Sequence, residues 1–348
     1  MSRQALALTT YFGERSRVRG RLLADELLDI HARHEVHASI LLRGIQGFGG
    51  KHRLRTDRLL TLSEDLPLVS VAIDVPARIE ALLADVSAIG DEGLMTLERT
   101  RMGGAGLCTS EAASTSSEEV KLTVYLGRHE RVNGAPAFTA VCQALYDGGA
   151  AGATVLLGVD GTRHGRRERA QFFARNANVP LMVVSVGDPQ PIYRALERLG
   201  EILRDPLLTI ERVRVCKRDG VLTQASHDHP LASKHSPDTR QKLTIVVSEA
   251  ARHDRQPIYL ELVRRLRTAG AAGATSLRGI WGFHGDHPPH GDRLLSIRRH
   301  VPVVTVTIDT PQRIAELFPI IDELTAEQGL VTSELIPASS PLHLAPGL

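Results

Sequence analysis

The chain carries one sequence motif three times, and this constrains its fold more than any single residue does. Leu8-Thr9-Thr10-Tyr11-Phe12-Gly13 recurs as Leu122-Thr123-Val124-Tyr125-Leu126-Gly127, and again as Leu243-Thr244-Ile245-Val246-Val247-Ser248. In every copy a glycine follows 36 residues after the leucine: Gly44, Gly158 and Gly279. Between the first and third copies an offset of 235 holds without a gap. It carries Asp57-Arg58-Leu59-Leu60 onto Asp292-Arg293-Leu294-Leu295, Pro67 onto Pro302, and Ile73-Asp74 onto Ile308-Asp309. Self-similarity at a fixed period of this length means serial copies of one folding unit. The 348 residues therefore divide into three domains of roughly 100 residues each, large enough to bury a modest core.

Within copy 1, Leu6 to Phe12 reads as a strand. Leu22, Leu23, Leu27, Leu28 and Ile30 fall at helical spacing, with Asp25, Glu26 and Asp29 on the opposite side. Val36 to Leu42 predicts a second strand, followed by a glycine-rich charged loop from about Gly47 to Arg58. Pro67 to Ile73 alternates as a third strand should. Pro76 suits a first helical turn after Asp74, a capping residue type, and Gly93 to Arg101 closes the unit as a fourth strand. The order β-α-β-β-α-β is the ferredoxin-like split βαβ, an α+β class. The expected domains are residues 1–104, 118–218 and 240–338. Polar stretches 105–117 and 219–239 read as solvated linkers, and 339–348 as a flexible tail.

Composition removes several classes of function. The apolar fraction of 42% and charged fraction of 24% are those of an ordinary globular protein. A net charge of +2, with arginines interleaved among Asp and Glu, gives no field that would favour nucleic acid or an anionic membrane. Cys108, Cys142 and Cys216 are odd in number and lack CxxC spacing, which argues against a disulfide framework. No apolar run approaches membrane-spanning length and no signal peptide is recognisable, so the expectation is a cytoplasmic protein that is not membrane-embedded.

Several motifs occur together. Arg43-Gly44-Ile45-Gln46-Gly47-Phe48-Gly49 is followed by His52, Leu59 and a Ser63-Glu64-Asp65-Leu66-Pro67 turn; Arg278-Gly279-Ile280-Trp281-Gly282-Phe283 is followed by His287 and Leu294. Small-residue turns, Gly149-Ala150-Ala151-Gly152-Ala153-Thr154 and Gly270-Ala271-Ala272-Gly273-Ala274-Thr275, precede the second strand of copies 2 and 3. A GLxTxE ending stands at Gly329-Leu330-Val331-Thr332-Ser333-Glu334. In combination, over nearly all of each repeat, these resemble the PII-like proteins grouped as domain of unknown function 190. The resemblance implies a unit similar to PII signal-transduction proteins, which assemble as trimers, so three copies in one chain imply an intramolecular pseudo-trimer. It also implies small effectors, commonly adenine nucleotides, in clefts between units near the base of the long loop. That loop would contact a partner such as a membrane transporter or a regulated enzyme.

The candidate effector residues follow from that loop. Two glycines flanking Phe48 let a backbone approach a ligand closely, and consecutive free amides in such a turn cradle anions. Arg43, Gly44, Gly47, Phe48, Gly49, Lys51 and His52 form the set in copy 1; Arg278, Gly279, Gly282, Phe283 and His287 form it in copy 3. The bland alternative is a tight loop whose aromatic packs onto the sheet. A Walker motif is excluded, because Lys51 is followed by His52 and no helix begins there. Copy 2 lacks the Phe and instead offers Arg163 and Arg166 in an arginine-rich run, suited to phosphate or an acidic partner, so three effector clefts would not be equivalent. In copy 3, His284, His287 and His290 recur at three-residue intervals beside Asp286 and Asp292, a donor set for zinc or another divalent metal. His31, His34 and His37 read as surface residues.

Three functions compete. A PII-type protein would sense a small molecule and act on a partner through its loops. A metal-binding or structural trimer similar to CutA proteins has the copy 3 histidines as its only support. An enzyme is disfavoured: GxSxG and HExxH are missing, as is a coherent pairing of Ser or Cys with His.

Overall fold

The computed structural model describes residues 3–50, 52–56, 65–89, 93–104, 119–163, 165–167, 179–204, 206–223, 238–284, 288–291 and 301–339. In the first domain, β1 (Arg3–Gly13) leads to α1 (Leu23–Arg33). β2 (Ala38–Arg43) and a short β3 (Gln46–Phe48) follow, then β4 (Pro67–Asp74), α2 (Pro76–Ser87) and β5 (Leu94–Gly103). The second domain runs β6 (Glu119–Gly127), α3 (Ala137–Asp147), β7 (Gly152–Arg163), β8 (Pro180–Gly187), α4 (Pro189–Ile202) and β9 (Leu207–Arg218). The third runs β10 (Thr239–Ser248), α5 (Ile258–Thr268), β11 (Ala274–Arg278), β12 (Trp281–His284), β13 (Pro302–Asp309), α6 (Pro311–Leu324) and β14 (Leu330–Ser339). Prolines open α2, α4 and α6, where a missing N–H costs nothing.

Each domain pairs its strands antiparallel in one spatial order. In the first, β5 lies beside β1, β1 beside β4, and β4 beside β2. Strand alternation divides the residues between two faces. In domain 1, Leu6, Leu8 and Phe12 pack with Leu27, Ile30, Ile79 and Leu82 of the helices, while Ala7, Thr9 and Tyr11 turn to the other side. Equivalent helix–sheet cores form in domains 2 and 3.

Asp74 corrects the capping expectation. The residue before α2 is Val75, with no side-chain cap. Instead, Asp74 accepts from the Val75 N–H at 2.6 Å and from the His37 N–H at 2.8 Å, so it staples the end of β4 to the turn entering β2. Asp309 does the same in the third copy, accepting from Thr310 at 2.8 Å and Ala272 at 2.9 Å. The expected linker 219–239 also differs at its start: Val221–Leu222 folds back on Lys217–Arg218 as a hairpin.

His31 is a second correction. It was expected at the surface, but it is 2% exposed in the core beneath α1, and its Nδ1 has no hydrogen-bond partner. Its place near the end of the helix suggested exposure, yet it follows Leu27 by four residues and Leu28 by three and so lies on the stripe that α1 buries. Burial, with a smaller contribution from His34, lowers its pKa from 6.5 to about 3. A base depressed on folding contributes stability that is complete above the unfolded pKa and is lost as pH falls below it. Denaturant titrations at pH 7 and 5 are therefore expected to show stability falling by about 1.4 kcal/mol or less per pH unit in this window from this residue. His31→Met should flatten that component; an unchanged pH slope in the variant would refute the assignment.

Candidate functional site

The candidate glycine motifs lie where one domain hydrogen-bonds to the next. β3 of domain 1 pairs with β11 of domain 3, Gly47 opposite Thr275 and Phe48 opposite Ala274. β12 of domain 3 pairs with the start of β7 in domain 2, Gly282 opposite Thr154. The far half of β7 pairs with β2 of domain 1, Gly161 opposite Ile40. The three seams are thus one device used cyclically. In copy 2, where the Phe is missing, the strand runs on without a break except for an irregularity between Gly158 and Asp160.

This geometry gives the glycines and aromatics packing work. A Cβ on Gly47 would come within 2.6 Å of the Ala274 carbonyl oxygen, and one on Gly282 within 2.3 Å of that of Ala153. Gly44 and Gly279 lie against Pro67 and Pro302 respectively. Phe48 is buried in the third domain's core, and Phe283 in the second's, where it meets Tyr146 edge-on with ring centroids 5.4 Å apart. The alternative of an aromatic packed onto the sheet, weighed for Phe48 above, describes its position. Among the candidate glycines, Gly49 alone has open space where a Cβ would stand.

The charged candidates are distributed over separate places. Arg43 forms a bidentate pair with Glu14 (3.0 and 2.9 Å), Arg163 pairs with Glu130 at 2.7 Å, and Arg278 with Glu249 at 2.8 Å. Arg166 is exposed, while its neighbour Arg167 reaches Asp160, Asp25 and Asp29 and ties domain 2 to α1 of domain 1. His52 stacks on Phe48 at 5.9 Å. His284 contacts Asp219 at 2.6 Å, and Nδ1 of His290 the Pro288 carbonyl at 3.0 Å. Lys51 and His287 lie outside the described residues.

What the three domains enclose together is a cavity of about 960 Å³. Alternate residues of the first strand in each copy line it: Ala7, Thr9 and Tyr11; Lys121, Thr123 and Tyr125; Lys242, Thr244 and Val246. Leu42, Leu156 and Leu277, equivalent positions in the three copies, close one level with an apolar cluster. The cavity reaches the seam between domains 2 and 3, where His284, His290, Arg218 and Arg252 contribute to its wall.

At the level of Ala7 lies a buried ionic cluster that the sequence reading did not single out. Glu98, Glu211 and Glu334 bring carboxylate oxygens within 4.8 Å of one another. Lys121 binds Glu211, Glu334 at 3.0 Å and, more distantly, Glu98 at 3.6 Å. Lys242 binds Glu98 at 2.6 Å and Glu334 at 2.8 Å. Burial alone would lower the Lys121 ammonium, but the three carboxylates outweigh it and hold its pKa well above the usual lysine value. Burial opposes ionisation of Glu334 too, and the two lysines overcome that, bringing it to about 2. For Glu211 burial prevails, with the charges of Glu98 and Glu334 adding to it, so its carboxyl is pushed up.

A sequence profile described as DUF190, an uncharacterized ACR, matches residues 5–102, 119–215 and 240–338. The chain belongs to the DUF190 family. It is also similar to a solved aspartate kinase from Synechocystis at 12% identity and a TM-score of 0.26, over 95% of this chain and 43% of that one. The chain thus spans less than half of that enzyme's length, and a score so low carries no argument. The DUF190 ending quoted above, GLxTxE, contains Glu334. Its counterparts Glu98 and Glu211 follow the same threonine two residues earlier, so the signal for the cluster was present as a strand-alternating charge facing the same way in three copies. No helix among the described residues is long and apolar enough to cross a membrane.

Substitution separates seam from site. Gly282→Ala and Gly47→Ala are expected to lower stability by roughly 1–3 kcal/mol through forced separation of paired strands, whereas Gly49→Ala should be nearly neutral. Urea denaturation of the three variants checks this; equal midpoints would contradict the packing role of the seam glycines.

Proposed function

We propose that this chain is a PII-like effector-binding protein: three ferredoxin-like units closed as an intramolecular pseudo-trimer, taking a small molecule in the space between them. The shared strand order of the domains and their cyclic seams support the architectural part. The observation that carries the functional part is the cavity of about 960 Å³ with lining from all three domains. That volume lies within the range of sites for cofactors and drug-sized ligands, and its mixture of apolar wall and few converging polar groups is the usual composition of such sites.

An adenine nucleotide is the first effector class to test. Arg218, Arg252 and two imidazoles line the seam end of the cavity, where phosphates would find cations, while Val69, Val71, Met182 and Val304 offer an apolar surface to a base. The loops after the second strands would then report the bound state to a partner, a transporter or a regulated enzyme, in the cytoplasm. The second reading, metal binding at the copy 3 loop, draws on His284 and His290 sharing the cavity wall. There a metal would have to compete with Asp219 for His284.

A thermal-shift panel of adenine nucleotides, cyclic dinucleotides and zinc, with native mass spectrometry of the purified protein, tests the proposal. A ligand present at about 100 times its dissociation constant should stabilise by about 2.7 kcal/mol. Thr123→Trp, which fills the cavity, should lose that response. Silence from every nucleotide together with a clear zinc response would replace the effector reading by the metal one.

A further inference from the structure

Copy 3 is the least filled of the three where the domains meet. Along the first strands, the cavity lining from copy 1 ends at Tyr11 and that from copy 2 at Tyr125. From copy 3 it runs on past Val246 to Val247, Ser248, Ala250, Ala251 and Arg252. The alignment of Leu8, Leu122 and Leu243 makes Val246 the counterpart of the two tyrosines. Both tyrosine rings pack against apolar clusters that join one domain to the next. The smaller valine leaves the corresponding volume to the cavity.

The turn after the first strand follows the same rule. In copy 1 the Arg55 guanidinium lies against the backbone of Gly13, where a Cβ would meet Nη1 at 2.6 Å, and Asp65 holds that guanidinium at 2.8 Å. In copy 2 the His129 ring lies against Gly127 in the same way, its Cε1 2.6 Å from such a Cβ. Glu130 accepts from the Gly127 N–H at 2.8 Å and pairs with Arg163 at 2.7 Å, which ties the loop to the turn. In copy 3 the counterparts are Ser248 for the glycine, Ala250 for His129 and Ala251 for Glu130. Two alanines therefore stand where copy 2 carries a ring and a carboxylate, and here the cavity reaches the seam.

The wall of this open seam has two kinds of chemistry. Val246, Met182, Val184 and Val304 make it apolar, while Arg218 and Arg252 bring cations. Glu119 holds one end of the Arg218 guanidinium, but its buried Nε has no hydrogen-bond partner among the described residues. A buried donor left in this state calls for an acceptor. We infer that the chain takes one ligand per molecule, at the seam between domains 2 and 3, and that this ligand is an apolar ring system with an anionic end. The inference rests on the effector reading in using the same cavity. It adds that copies 1 and 2 are sealed by their own side chains, and that Val246, Ala250 and Ala251 keep the third seam open.

The test counts ligands on the full chain. The probe is anilinonaphthalenesulfonate, an aromatic body with one anionic group, titrated by fluorescence while native mass spectrometry reads the stoichiometry. One equivalent per chain is expected. Val246→Tyr, which restores the tyrosine of the sister copies, should lose it. So should Ala250→His/Ala251→Glu, which restores the turn of copy 2. Urea midpoints report whether each variant is folded, and either folded variant suffices for the decision. Uncharged phenylnaphthylamine should bind more weakly than the sulfonate. ATP separates this inference from the nucleotide reading. Displacement of a single bound sulfonate by ATP supports both, whereas a single sulfonate that ATP leaves in place supports this inference and removes the nucleotide. More than one equivalent of ATP per chain would overturn the inference and leave the effector reading intact. Failure of the sulfonate to bind, its binding at more than one site, its retention by a folded variant, or equal affinity for the uncharged probe would each overturn it as well.

Discussion

Hydrogen bonding of each domain's second strand to its neighbour is the constraint on which the structure depends. An open antiparallel sheet leaves edge strands whose free N–H and C=O groups seek partners. Here each such edge is taken by the next copy, so the chain satisfies its own edges in a closed circuit. The pairing needs a backbone approach that a side chain would block, which is why Gly47, Gly161 and Gly282 stand opposite a neighbour's strand. It also sets Phe48 and Phe283 into cores that belong to other domains. Folding of one copy is thereby tied to the presence of the next.

Closure gives the sheets a second buried face. In an isolated domain, residues such as Thr9, Tyr11 and Val71 would meet water, and a polar and apolar mixture would be unremarkable there. Enclosed by three sheets, they become the wall of a cavity, and each polar group among them must find a partner or a ligand. The leucines at one level and the charges at another divide that wall into a greasy end and an ionic one.

The order of elements was legible because it rests on short-range signals. Alternation in Pro67–Asp74, prolines opening three helices and the apolar stripe of α1 are written within a few residues of each other. The seams were not, since nothing local distinguishes a glycine that cradles an anion from one that admits a neighbouring strand. Gly47-Phe48-Gly49 supports both readings until its partner, Ala274–Ser276, is known. His31 was legible and missed: it stands four residues after Leu27, on the buried stripe of α1. The ionic cluster was half legible. Its glutamates share a motif, but Lys121 and Lys242 gain meaning only against Ala7, and only once register sets those three positions opposite the glutamates.

Joining three copies in one chain permits, where they meet, an inequality that a trimer of identical chains could not have. On a true threefold axis every side chain occurs three times, so a ring of glutamates is met by three lysines or by none. With separate codons for each copy, the shared wall carries Ala7, Lys121 and Lys242 at one level, and Tyr11, Tyr125 and Val246 at another. Fully paired, such a cluster would be inert, and a buried ion-pair network by itself adds little to stability compared with apolar packing of the same volume. Here the ring is unequal, and the Glu211 carboxyl, with no third lysine to meet it, is pushed up by burial. An unequal set of side chains at one level is therefore open to three copies in one chain and closed to a trimer of identical chains.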